Sequence, residues 1–292
     1  MSGDFPRIGY IGVGLMGRPM VERLLDSGYA VTVWNRSREK LDPLVERGAV
    51  AADTPADLAS KVDFVFMCLM DASAVEAVVF GPKGVAEASG PTVMVDFGTL
   101  HPDNSRDFAV RLRAANGMGW VDAPVSGGVP GAAAGTLAIM AGGDENDIEA
   151  VRPVIEQLSA RFTRMGGAGA GQSTKLCNQI ISGCTMAIVA EAVNFAEKSG
   201  VDATVLTEAL KGGFADSIPF QLFAPRMAAR EFENPLGTTD TMLKDLKSVA
   251  EVAHHSGAKL PMTSQALAIM QDAQAHGDGD RDISTIIGYF DR

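Results

Sequence analysis

The 292-residue chain is 46% hydrophobic and 21% charged, an ordinary balance for a globular protein and enough for one large or two medium domains. A formal net charge of −11 and a pI near 4.8 argue against nucleic acid as a main partner, because phosphate binding needs a basic face. No window reaches about 18 uninterrupted apolar residues, and the opening Met-Ser-Gly-Asp-Phe-Pro has no basic region followed by an apolar one. The expectation is therefore a cytoplasmic protein with no membrane partner.

Arg7 to Ile11 reads as a short strand that feeds into Gly12-Val-Gly-Leu-Met-Gly17 and then an amphipathic helix from about Met16 to Ser27. This is the dinucleotide-binding fingerprint in its required context, with Val13, Leu15 and Met16 inside the same turn. Gly12 allows the tight turn, Gly14 lets the backbone approach a pyrophosphate, and Gly17 lets helix and strand pack closely. A second strand, Ala30 to Trp34, ends in Asn35-Arg36-Ser37, where such folds usually place an acid to hold the ribose hydroxyls. A guanidinium at Arg36 can instead pair with a 2′-phosphate, with neutral hydrogen bonds from Asn35 and Ser37, so NADP(H) is expected over NAD(H). The bland alternative for Arg36 is a solvated turn residue, and NAD(H) use stays possible.

The alternation continues with a helix near Arg38 to Arg47, a strand at Ala49 to Ala51, a helix opened by Thr54-Pro55 and the strand Asp63 to Cys68. The pattern predicts a doubly wound parallel sheet. Leu69 and Met70 follow that strand and Thr99 follows the next, Val93 to Asp96, on the side that faces the ligand crevice. Thr99 is read as a contact for the nicotinamide half of the cofactor, as a cap for the helix near Pro102, or as both. In Asp122-Ala-Pro-Val-Ser-Gly-Gly128, the Ser126 hydroxyl and the backbone N–H groups of Gly127 and Gly128 form either a carboxylate receptor or a plain turn before the strand Thr136 to Met140. A helix near Glu145 to Leu158 and a strand Arg161 to Met165 complete this half.

Gly166 to Gly171 is too rich in glycine to be helical, and Ser173 and Thr174 are the residue types that cap a helix. The long helix that follows, Ser173 to Ser199, has no charge between Lys175 and Glu191 and reads as largely buried. Lys175, Asn178 and Gln179 start a narrow polar stripe on it. From this stretch alone, a lysine snorkelling at a helix start and a catalytic lysine are equally open readings. The remainder reads as helices at Ala203 to Lys211, Pro219 to Ala229, Met242 to His255 and Ser264 to Gly277, with a flexible-looking Gly277 to Arg281. The expected division is a nucleotide-binding domain over 1–165 and an all-helical domain over 166–292, with Lys175 near the interface. Cys68, Cys177 and Cys184 show no paired spacing and are expected to be buried free thiols. No metal site is expected.

Four blocks in order, Gly12 to Gly17, Asp122 to Gly128, Gly166 to Asn178 and Lys244-Asp245-Leu246, together resemble the β-hydroxyacid dehydrogenase family. The resemblance covers nearly the whole chain. It implies a substrate bearing a carboxylate, a helical domain that mediates homodimer or homotetramer formation, Lys175 as the catalytic acid/base, Ser126 to Gly128 as the carboxylate receptor, and Asn178 as an assisting residue. Lys244 is implied to approach the cofactor. Members often show Ser-Thr where this chain has Gly98-Thr99, and His101 is a further departure. Phe214, Asp216 and Ser217 are candidate substrate-specificity residues. The alternatives are an imine reductase-like enzyme, against which Lys175 speaks, a phosphogluconate dehydrogenase, for which the chain is short, and a non-catalytic NADP-binding module.

Overall fold

The computed structural model describes residues 5–90 and 92–292. The chain divides into two compact units, the first closing at Lys175 and the second opening at Leu176. The glycine run expected to mark the boundary lies earlier, at 166–171. The division falls inside the long helix Ala170–Lys198, which also begins sooner than its sequence suggests.

The first unit is built on a single sheet whose strands are β1 (Ile8–Ile11), β2 (Val31–Trp34), β3 (Val50–Ala51), β4 (Phe64–Met67), β5 (Val93–Asp96), β6 (Gly119–Asp122), β7 (Val125–Ser126), β8 (Leu137–Gly142) and β9 (Ser159–Gly166). Their order is β3-β2-β1-β4-β5-β6-β8-β7, with β9 also paired to β8. The pairs from β3 through β6 are all parallel, and the order reverses direction between β1 and β4, which is the doubly wound arrangement. The expected doubly wound parallel sheet is present, and its far side adds strands of the opposite direction. β8 runs antiparallel to β6 and β7, and β9 runs parallel to β8. After the short Val125–Ser126 strand the chain reverses through the seven-residue helix Gly128–Ala134 and returns antiparallel as β8.

The central strands are buried on both faces, so their sequences are nearly continuous apolar runs. Ile8, Tyr10, Val31, Val33, Phe66, Val95 and Val121 pack into one layer, while Ile11, Val65, Met67, Met94 and Trp120 pack into the other. Two α-helices of this unit escape the sequence reading. Ala72–Val79 is capped by Asp71, whose carboxylate accepts the Ala74 N–H at 2.8 Å. Gly128–Ala134 looked like a glycine-rich turn, but it runs to a left-handed Gly135 at φ +66°, a conformation that ends a helix readily.

The second unit is helical, as expected, and packs the helices Ile218–Ala229, Thr239–Ser256 and Pro261–Ala275 with the long helix Ala170–Lys198. Leu176, Met186, Val189, Ala190 and Val193 of the long helix join Phe220, Phe223, Met227, Leu243 and Leu246 in one core. By length and composition alone this helix could cross a bilayer, but these residues bury one side of it within the protein. It is not buried all round. Ile181, Ile188 and Phe195, spaced by seven, are exposed at 68%, 54% and 70% and form an apolar stripe. Cys177 is likewise exposed and Cys68 and Cys184 are half-buried, which corrects the expectation of three buried thiols.

Residues 277–281 are tied down, contrary to their flexible-looking composition. The Asp240 N–H donates to the Gly279 carbonyl at 2.8 Å and the Thr239 N–H to that of Arg281 at 3.1 Å. Buried Asp282 then accepts the Leu236 and Ser284 N–H groups and pairs with Arg226.

Candidate active site

The carboxyl ends of β1, β2, β4, β5 and β6 all lie on the same edge of the sheet, because these strands are parallel. Of the fingerprint glycines, two are demanded by the protein itself. Gly12 has φ +90°, and a Cβ there would collide with the Cys68 carbonyl; a Cβ on Gly17 would collide with the Gly12 carbonyl. Gly14 differs, since a Cβ there would meet nothing within 4 Å. Open space in front of the middle glycine, at the start of the Gly17–Asp26 helix, fits the approach of a dinucleotide pyrophosphate.

Around that turn the side chains sort by role. Asn35 Oδ1 accepts the Val13 N–H at 3.2 Å and its Nδ2 donates to the Ser37 carbonyl at 2.9 Å, so Asn35 fastens the β1 turn to the β2 turn. Arg36 is exposed and makes no hydrogen bond or ion pair among the described residues, whereas Arg38 is paired with Asp53 at 2.9 Å. Leu15 and Met70, in the turns after the neighbouring strands β1 and β4, are 85% and 81% exposed and offer apolar surface that suits the faces of a planar ligand. Leu69 and Thr99 are half-buried beyond β4 and β5. His101 takes the helix-capping role considered for Thr99, its Nδ1 accepting the Asp103 N–H at 3.2 Å.

Ser126 ends β7, and Gly127 (φ +130°) and Gly128 (φ +62°) turn the chain into the next helix with their backbones exposed. Residues without side chains are needed at both, and the turn leaves polar backbone facing solvent.

The long helix begins at Ala170, so Ser173 and Thr174 do not cap it. They lie inside it, with hydroxyls donating back to the carbonyls of Gly169 (2.9 Å) and Ala170 (2.8 Å). The cap comes from elsewhere in the sequence: the Asp122 carboxylate accepts the Gly169 N–H at 2.7 Å and the Gln172 N–H at 2.8 Å. Burial pushes the Asp122 carboxyl up to about 6, against the pull of these N–H donors. Its register neighbour Asp96 is fully buried, accepts the Gly98 N–H at 2.9 Å through Oδ1, and leaves Oδ2 without a partner among the described residues. Burial, aided by the nearby Asp122 charge, pushes Asp96 up to about 7.

Gln172 extends the network. Its Nε2 donates to the Gly98 carbonyl at 2.8 Å and its Oε1 accepts the Leu100 N–H at 3.0 Å. Lys175 follows one turn later and is half-buried. Asp122, Gln172 and Asp96 were not singled out as site residues from sequence. The signal in the sequence is an acid closing each of two apolar strands, Asp96 and Asp122; the apparent local cap at Ser173 and Thr174 hides the need for a remote one.

The structure gathers Gly12 to Gly17, Asn35 to Ser37, Leu69, Met70, Thr99, Ser126 to Gly128 and Lys175 into the first unit, while Asn178, Phe214, Asp216 and Lys244 belong to the second. Asn178 donates to Gln179 Oε1 at 2.8 Å, and Gln179 donates to the buried Asp245 carboxylate at 2.5 Å, so Asp245 holds this amide chain in place. Lys244 and Phe214 are exposed. The Asp216 carboxylate accepts the Gly212 N–H and the Gln221 amide, both at 2.7 Å, and is held below the usual carboxylate range by those donors. Ser217 caps the Ile218–Ala229 helix by accepting the Phe220 N–H.

Residues 7–167 match the family model described as the NAD binding domain of 6-phosphogluconate dehydrogenase, and residues 169–290 match that described as the NAD-binding of NADP-dependent 3-hydroxyisobutyrate dehydrogenase. The chain belongs to the β-hydroxyacid dehydrogenase family. It is 38% identical, over 94% of its length and 89% of the relative's, to an Arabidopsis thaliana protein named probable 3-hydroxyisobutyrate dehydrogenase-like 2, mitochondrial. It is 36% identical to the 2-hydroxy-3-oxopropionate reductase of Escherichia coli K12, with 96% of both chains covered. Among solved structures it is similar to a Mycobacterium tuberculosis 3-hydroxyisobutyrate dehydrogenase with L-serine, at a TM-score of 0.87, 29% identity, and coverage of 98% of this chain and 99% of that one. Membership makes this β-hydroxyacid dehydrogenase an NAD(P)-dependent oxidoreductase of the CH–OH group.

Proposed function

We propose that the enzyme interconverts a short β-hydroxy acid and its semialdehyde with NADP(H), using Lys175 as the general acid/base. The observation that carries this reading is the helix start. A remote carboxylate and a buried amide hold the helix start that precedes Lys175 against the ends of β5 and β6, on the sheet edge that also bears the open-fronted fingerprint, which supports this reading.

NADP(H), when bound, supplies or accepts the hydride. In the reducing direction the Lys175 ammonium donates its proton to the substrate oxygen as negative charge develops there; in the oxidising direction the neutral amine removes the hydroxyl proton. The Ser126 hydroxyl and the Gly127 and Gly128 backbone N–H groups hold the substrate carboxylate and orient the reacting carbon. Asn178, one turn beyond Lys175 and steadied through Gln179 by Asp245, orients the substrate oxygen, and Lys244 supplies a second positive charge. Phe214 is the proposed specificity contact. Asp216 and Ser217 are proposed to act through the shape of that turn, since their side chains are committed to it.

The preference for NADP(H) rests on Arg36, whose guanidinium has no protein partner among the described residues and is free to pair with a 2′-phosphate. The name of the second matching family model, which specifies NADP dependence, supports the same choice. The exposed stripe Ile181, Ile188 and Phe195 supports assembly into a homodimer or homotetramer, which light scattering on the purified protein tests; a monomer at all concentrations overturns it.

The function itself is tested by NADPH and NADH oxidation with tartronate, methylmalonate and succinate semialdehydes. Turnover of tartronate or methylmalonate semialdehyde, faster with NADPH, is expected. Cofactor binding without turnover of either, or turnover of succinate semialdehyde alone, which yields a γ-hydroxy acid, would contradict the substrate class.

A further inference from the structure

The long helix has no cap of its own, and the groups that hold its first turn reach it from distant parts of the chain. Asp122, at the end of β6, takes both the Gly169 and the Gln172 N–H groups on one carboxylate. That carboxylate lies in a slot made by two residues without side chains. A Cβ on Gly142 would stand 2.6 Å from Asp122 Oδ1, and one on Gly171 would stand 2.8 Å from Oδ2 and collide with the Met140 and Asp122 carbonyls. The first turn is thus pressed directly onto the ends of β6 and β8. Gln172 then grips residues 98 and 100 from both sides with its donor and its acceptor, fixing the peptide on which Thr99 sits.

We propose that Asp122 and Gln172 are positioning residues that set the azimuth of Lys175 and the height of Thr99 together, so that proton donor and cofactor-facing loop keep one fixed geometry. The proposal rests on the reading of Lys175 as the acid/base. Residues three apart lie on neighbouring positions of one helical face, so a helix start held at Gln172 cannot rotate without carrying Lys175 with it. The same Asp122 begins the Asp122-Ala-Pro-Val-Ser126 segment, so the carboxylate receptor is referenced to the same anchor. Asp122 is buried yet receives two backbone donors, and it therefore holds its role as an acceptor at neutral pH despite the upward push on its carboxyl.

Gln172→Glu tests the proposal, because it keeps the shape and replaces the donor facing the Gly98 carbonyl by a second acceptor. Per cofactor-binding site, titrated with NADPH, kcat at about pH 8 is expected to fall by about 10- to 100-fold while the NADPH Kd stays within about twofold, the signature of a misplaced reacting group. As the pH is lowered and the introduced carboxyl takes up a proton, its O–H again donates to the Gly98 carbonyl, and kcat should recover relative to wild type. Gln172→Leu, which removes both hydrogen bonds and cannot titrate, should show the loss without the recovery. Wild-type kcat in both variants overturns the proposal alone, as does failure of both to yield folded, cofactor-binding protein, which would make the network merely structural. Absence of turnover in the wild type across the semialdehyde panel instead overturns the functional reading, and the proposal with it.

Discussion

Arg36 stands just past β2 with no carboxylate among the described residues to neutralise it, while the next arginine, Arg38, has one in Asp53. That difference makes Arg36 the residue on which cofactor choice turns. Arg36→Ala should raise the KM for NADPH by about 10- to 100-fold, the loss of a charged hydrogen bond or two to phosphate, and leave that for NADH nearly unchanged. Equal effects on both cofactors would refute the assignment. Asp96 makes a second residue-scale case. Its carboxyl is pushed up to about 7 and that of Asp122 to about 6, so in the folded protein both hold protons to higher pH than in the unfolded chain. The native state then binds more protons than the unfolded one between about pH 4 and 7, and these two groups lower stability as the pH rises through that window. Asp96→Asn keeps an acceptor for the Gly98 N–H and removes the buried charge. It should raise Tm at about pH 8 more than at about pH 5; a pH-independent change would contradict the burial argument.

At the scale of elements, the first βα turn separates what folding requires from what binding requires. Gly17→Ala forces a Cβ into the Gly12 carbonyl and should lower Tm sharply, whereas Gly14→Ala meets no protein atom within 4 Å and should leave Tm nearly unchanged while weakening NADPH binding. If Gly14→Ala bound NADPH as wild type does, the pyrophosphate would not lie against this turn. This turn was legible in sequence because every cue in it is local: a strand, three spaced glycines, a helix. The start of the long helix was not. Its cap, Asp122, lies far away in sequence, so Ser173 and Thr174 looked like the capping residues and the glycine run looked non-helical. The exposed stripe on the same helix was hidden for a related reason, since Ile181, Ile188 and Phe195 are as apolar as the side chains opposite them.

For the whole molecule, the chain order of motifs carried the furthest inference. A fingerprint, a Ser-Gly-Gly turn and a lysine-bearing helix, each open to a bland reading alone, fix a family when they occur in sequence, and the matches over 7–167 and 169–290 agree. The two-unit organisation was legible from the switch between strand-helix alternation and helices. Its boundary was not, because the long helix belongs to both units and compactness divides it at Lys175 rather than at the glycines. The reversed strands β8 and β9 were also beyond reach, since strand direction depends on partners and not on the apolar runs themselves. The most direct measurement is Lys175→Ala against wild type in two readouts: NADPH affinity, and NADPH oxidation with whichever semialdehyde the wild type reduces fastest. Unchanged affinity with turnover reduced by about 100-fold or more is the predicted result for loss of a general acid. Turnover near the wild-type rate would contradict the assignment of Lys175 as the acid/base.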